Sequence, residues 1–199
     1  SGELIAGIAF DEGFLTRIFD PLGMDDTRFY FPEKKAGRLV TVQQKVDGSW
    51  EKYPVTFYDT DYPVKGARTF FSGGAGLSST AKDYATFLQM YLNQGEYNGI
   101  RLLSRTTVDL ILSNQIGNIW GADADSQFGL AFEILTESGQ ARGGMGSAGT
   151  FNWGGYFNSQ YFADPQEQII GIILKQTQGP VKDDTGWKFR QMVFQTLDD

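Results

Sequence analysis

A chain of 199 residues, 41% apolar and 21% charged, is long enough for one sizeable domain or two small ones and needs no disulfide or metal staple to bury a core. Its 24 acidic and 17 basic residues leave a formal charge of −7 with no basic cluster, which argues against a nucleic-acid partner. It has no His and no Cys, which excludes a Ser-His-Asp triad, an HExxH zinc site, thiol catalysis, Cys-held metals and disulfides.

In chain order, Phe10, Phe14 and Ile18 fall at i, i+4 and i+8 and predict a helix over 10–19, stopped by Pro21. Residues 38–46 and 49–58 read as extended, joined by the hairpin pair Asp47-Gly48, with Pro54 and Pro63 confining the region to edge strand or loop. The clearest helix covers 80–93, with Ala81, Tyr84, Leu88 and Tyr91 on one stripe and Thr80 and Asp83 at capping-box spacing. A short helix follows Ser104 over about 105–112. Strands are expected over 127–135, 156–163 and 168–176, the last two around the turn Asp164-Pro165-Gln166-Glu167. The run Ile169-Ile170-Gly171-Ile172-Ile173-Leu174 is apolar throughout, so a central strand or one buried on both faces is expected. A final helix over about 183–197 carries Phe189, Val193 and Leu197.

Helices first, then antiparallel strands, then a terminal helix give an α+β fold. We expect one partial domain over 1–199, with helices and loops over 1–125 and strands and the last helix over 126–199. No apolar run approaches the roughly 20 residues of a membrane span.

Without His or Cys, covalent catalysis needs a Ser or Thr activated by Lys or Tyr. Ser-x-x-Lys at a helix start places hydroxyl and amine on one face, and it occurs at Ser49–Lys52 and Ser79–Lys82. Ser49 sits in extended structure, where i and i+3 do not share a face. Ser79 and Lys82 are better placed, though helix N-termini favour Ser regardless of function, so a plain cap is the preferred reading. Tyr-x-Asn occurs at Tyr91–Asn93 and Tyr156–Asn158. Asp123-x-Asp125-x-Gln127 begins like a calcium loop but has Phe128 and Ile134 at the positions that need Gly and Glu. The 25 glycines are clustered, notably at Gly73, Gly74 and Gly76, at Gly143 to Gly149, and at Gly154 and Gly155, where the backbone turns sharply or is approached closely.

Three stretches carry a resemblance: 17–29, with Pro21-Leu22-Gly23-Met24; 71–87, with Ser78-Ser79-Thr80-Ala81-Lys82; and 146–165, with Trp153-Gly154-Gly155. In this order they resemble the C-terminal half of the serine β-lactamase-related family, which includes class C β-lactamases, DD-peptidases and family VIII carboxylesterases. The resemblance implies a β-lactamase/transpeptidase-like fold and an acyl-enzyme mechanism on small-molecule esters or β-lactams, with no cofactor or metal. It implies that Trp153-Gly154-Gly155 is the third motif, on a sheet-edge strand, with the Tyr156 amide helping to hold an oxyanion. Gly146-Ser147-Ala148-Gly149 is the rival position for that motif.

The family's nucleophile motif precedes Pro21-Leu22-Gly23-Met24, so the chain is expected to lack it and to need an N-terminal segment of the same protein. Ser79 then falls where the family has a non-catalytic helix start. The alternative is a non-catalytic relative kept for binding. The resemblance also suggests a periplasmic or secreted protein.

Overall fold

A computed structural model describes residues 7–179 and 183–197. Within it the chain gathers into two units, Ser1–Phe87 with Gln176–Pro180, and Leu88–Lys175 with Val181–Asp199. The division falls inside a helix, Ala81–Leu92.

The first unit opens with α1 (Phe10–Phe14), which runs through a π turn (Leu15–Phe19) into α2 (Asp20–Leu22). The expected stop at Pro21 is displaced to Gly23. Proline has no N–H to give, and the wide π turn before it takes up the misfit of its ring. Gly23 ends the helix in the left-handed conformation at φ +67°. Phe10 and Phe14 pack against Phe29, at ring separations of 5.6 and 5.7 Å, and Phe29 meets Phe71 at 5.5 Å.

After a 3-10 helix (Glu33–Arg38) come β1 (Gln43–Val46) and β2 (Ser49–Lys52). Asp47 and Gly48 both have positive φ, as a two-residue hairpin turn requires, and pair Val46 with Ser49. The strands are shorter than expected, with Pro54 just beyond β2. A short α3 (Tyr62–Lys65) follows, and β10 (Thr177–Gln178) pairs with β1 in parallel.

The expected helix over 80–93 is α4 (Ala81–Leu92), ended by Gln94 and Gly95, both at positive φ. In the second unit β3 (Glu96–Tyr97) and β4 (Ile100–Arg101) form a small hairpin, and α5 (Arg105–Ile111) is capped by Ser104, whose Oγ accepts from the Thr107 N–H at 3.1 Å.

The main sheet has the order β5 (Ser126–Phe128), β6 (Glu133–Leu135), β7 (Phe151–Gly154), β8 (Gln160–Asp164) and β9 (Ile169–Ile173), all antiparallel. The single strand expected over 127–135 is thus two. Gly129 turns the chain so close to Ile111 that a Cβ would lie 2.0 Å from its carbonyl oxygen. The strand expected over 156–163 is β8, which begins only at Gln160, because residues 155–159 form the turn into it from β7. The short α6 (Glu137–Ala141) stands between β6 and β7.

Side chains alternate across this sheet. Phe151 faces Phe132 and Tyr91, while Phe162 faces α7 (Thr185–Phe194) through Phe189 and Phe194. The sheet-facing side of α7 runs through Gly186, Phe189 and Phe194, and Leu197 lies exposed beyond the helix. The central position expected for 169–173 is not found. β9 is the outermost strand of the sheet, and its isoleucines are half-buried. Its uniform apolarity suits burial, yet only its β8 side is paired among the described residues. No helix in these residues is long and apolar enough to cross a membrane.

Candidate functional site

The two places the sequence singled out lie in different units. In the first, α4 begins after Thr80, whose hydroxyl accepts from the Asp83 N–H at 3.2 Å. The expected capping box is only half made, because the Asp83 carboxylate turns away from the helix. It accepts from the Asp26 N–H at 2.8 Å and the Thr27 hydroxyl at 2.9 Å.

Ser79 Oγ lies 2.7 Å from Thr27 Oγ1. Ser79 Oγ also lies 3.4 Å from the Thr80 carbonyl oxygen, so its hydroxyl partners are a threonine hydroxyl and a backbone carbonyl rather than an amine. Lys82 is exposed. Nearby, Asp26 is clamped by Lys35 at 2.7 Å and Arg38 at 2.6 Å, and these two cations hold its carboxyl well below the usual carboxylate range. The hollow beside Ser79 is small, about 60 Å³. Asp26, Asp83 and Ser79 each already have partners that shape the loop.

In the second unit, β7 carries Trp153 and Gly154. Asn152 pairs with Glu133 of β6, and there the β6 pairing ends, while β7 continues alongside β8 through Trp153↔Tyr161 and Gly154↔Gln160. Polar backbone groups on a strand alternate in direction. Gly154 therefore points its N–H and C=O the same way as Asn152, past the end of β6. β7 is the third strand of five, yet this end of it is an open edge.

Trp153 is 49% exposed and rests edge-on against Phe128 at 4.9 Å, which in turn meets Trp120 at 5.4 Å. Gly155 donates its N–H to the Ser159 carbonyl at 2.7 Å, placing Gly155 and Tyr156 in the turn that follows. A Cβ on Gly155 would lie 2.4 Å from the Ser159 hydroxyl.

The rival placement at Gly146 to Gly149 is a turn built around the buried Ser147. Its Ser147 N–H and the Thr150 hydroxyl both donate to Asp164 Oδ2, at 2.7 and 2.9 Å, and Gly146 takes φ +106°. Asp125 of the would-be calcium loop pairs with Arg142 at 2.6 Å.

Beside Gly154, between the sheet and α7, lies a cavity of about 370 Å³ bordered by Glu133, Asn152, Gln160, Trp187 and Arg190. The sequence reading passed over all five. A basic residue one position after Phe189, on the sheet-facing side of a predicted helix, was the available clue. Burial pulls the Arg190 guanidinium below its ordinary range, and the field of Glu133 and Asp164 offsets that only in part.

A family model described as Beta-lactamase matches residues 3–193. The chain belongs to the β-lactamase family. It is 30% identical over 170 residues to Protein Rv1367c of Mycobacterium tuberculosis, covering 80% of this chain and 41% of that protein. It is 27% identical over 203 residues to lovastatin esterase of Penicillium rubens, covering 92% and 49%. Its fold matches that of EstCE1, a hydrolase with promiscuous acyltransferase activity, at a TM-score of 0.79, with 23% identity over 96% of this chain and 52% of that one. The chain thus spans about half the length of these β-lactamase-family relatives, and its α+β fold is theirs.

Proposed function

We propose that the chain is the C-terminal part of a serine hydrolase that cleaves small-molecule esters through an acyl-enzyme. In this reading it supplies the substrate-side wall of the site, and the nucleophile lies on a segment outside these 199 residues. The observation that carries the reading is the open end of β7. Trp153-Gly154-Gly155 offers a strand edge with no side chain at Gly154 or Gly155 to keep an extended acyl group away, and the polar groups of Gly154, which no β6 residue pairs among the described residues, are available to hold it.

A serine on the other segment would attack the ester carbonyl, with the Tyr156 amide one donor to the oxygen that becomes negative. Trp153 stands where a lactamase would carry a cationic Lys, and the loss of that charge favours esters over carboxylate-bearing lactams at this strand. The name of the Penicillium esterase supports the same substrate class. Ser79, tied to Thr27, serves as part of a helix entry.

The test is turnover by the 199-residue chain. Nitrocefin and p-nitrophenyl esters should remain uncleaved. Measurable hydrolysis at a rate dependent on Ser79 would overturn the assignment.

A further inference from the structure

Between α5 and β5 the chain makes a loop over 112–125 with no charged residue before Asp123. Both of its ends are fastened. The Gln115 N–H donates to the Phe128 carbonyl at 2.8 Å, and the Thr136 hydroxyl donates to the Ala124 carbonyl at 2.7 Å. The middle is held less firmly. Gly117 at φ +59° and Gly121 at φ +99° bracket Asn118, Ile119 and Trp120, and a Cβ on either glycine would meet nothing within 4 Å. Two unhindered glycines in the left-handed region are places where the backbone turns at little cost, as a hinge requires.

Between these glycines stand two large apolar side chains that the fold leaves in solvent, Ile119 at 77% and Trp120 at 50% exposure. Among the described residues the Trp120 ring meets Phe128, edge-on at 5.4 Å, and Phe128 in turn leans on Trp153 at the open end of β7. The loop's present seat is also incompletely bonded. The buried Gln127 reaches the Gly121 carbonyl with its amide only at 3.4 Å, and its Oε1 is buried with no hydrogen-bond partner among the described residues. An unmet buried acceptor is a cost, so the loop is held weakly in this seat. Exposed apolar surface on a hinged loop, joined by a row of rings to a strand edge, gains by closing on a bulky apolar guest and gains little from a small one.

We propose that residues 117–121 form a lid that closes on the apolar part of an ester lying along the open edge of β7, and that Trp120 is the specificity-determining residue that makes bulky apolar esters preferred. That the guest is a substrate rests on the hydrolase reading above, whereas closure needs no nucleophile and is tested without one. The purified chain, with its four tryptophans replaced by 5-fluorotryptophan, is titrated with methyl cyclohexanecarboxylate and with methyl acetate while the fluorine resonances are followed. Trp120→Phe identifies the Trp120 resonance, and amide hydrogen exchange over 116–122 reads closure.

Methyl cyclohexanecarboxylate is expected to shift the Trp120 resonance, to bind at least about tenfold more tightly than methyl acetate, and to slow exchange over 116–122. Its affinity should fall about tenfold in Trp120→Ala, which alters an exposed loop side chain, while methyl acetate binds as before. Circular dichroism establishes that the variant is folded. Equal binding of the two esters, absence of binding, affinity unchanged in Trp120→Ala, or binding without slowed exchange would each overturn the proposal. So would a Trp120 resonance that moves with protein concentration rather than with ester, which would place a second copy over the loop. Hydrolysis of either ester at a rate dependent on Ser79 would overturn the functional reading instead and leave the lid standing.

Discussion

Asp164 shows how a single side chain fixes the turn framing the site strand. It is fully buried and accepts from the Ser147 N–H, the Thr150 hydroxyl, the Gln166 N–H and the Glu167 N–H, at 2.7 to 3.1 Å. Burial alone would push its pKa up, but the four donors outweigh that and hold it below the ordinary carboxylate value. Asn in its place loses the charge and turns an N–H₂ toward two of those donors. Asp164→Asn is therefore expected to cost about 3 kcal/mol at pH 7, read as a lower urea midpoint. The sign of the pH dependence follows from the lowered pKa. The carboxylate's contribution is full above about pH 4 and is lost as pH falls through the folded-state value beneath it. The gap between wild type and variant should narrow on acidification, and a gap constant from pH 7 to pH 2 would contradict this assignment.

At the scale of elements, glycine positions separate rigid contacts from yielding ones. A Cβ at Gly129, between β5 and β6, would meet the Ile111 carbonyl at 2.0 Å, and that backbone is held by α5. A Cβ at Gly186, on α7, would meet the tip of the Gln160 side chain at 1.1 Å, which can swing aside. Gly129→Ala should destabilise by about 2–3 kcal/mol and Gly186→Ala should stay within about 1 kcal/mol of wild type, both read by thermal unfolding. Equal losses would show that the α7 contact is as rigid as the β5–β6 turn.

Much of this level was legible in the sequence. The Asp47-Gly48 hairpin, the Ser104 cap and the Asp164 turn declare themselves through residues whose backbone chemistry is local. The misses are tertiary. The break at Gly129 depends on a carbonyl eighteen residues upstream. The strand expected over 156–163 begins only at Gln160, because the reversal over 155–159 shows itself only when Gly155 is seen donating to the Ser159 carbonyl. The edge position of β9 could not be read from a run whose apolarity suits a sheet interior. Such an edge invites pairing with another chain. The protein should self-associate on concentration, and Ile172→Lys should reduce its light scattering. Unchanged scattering would mean that β9 is not the contact.

Across the whole molecule, the family was legible because three stretches, each ambiguous alone, occur in the right order. Trp153-Gly154-Gly155 of the candidate site was legible with them, as a motif. The cavity and Arg190 were not, because they arise where α7 meets strands contributed by three other segments. The engagement of Ser79 by Thr27 and the open end of β7 are what support the proposed reading, a substrate wall whose nucleophile lies on another segment. The most direct test is the intact mass of the purified chain after incubation with a fluorophosphonate serine probe. The account predicts an unmodified mass. A stoichiometric adduct mapped to Ser79 would contradict it and make that serine a nucleophile rather than part of a helix entry.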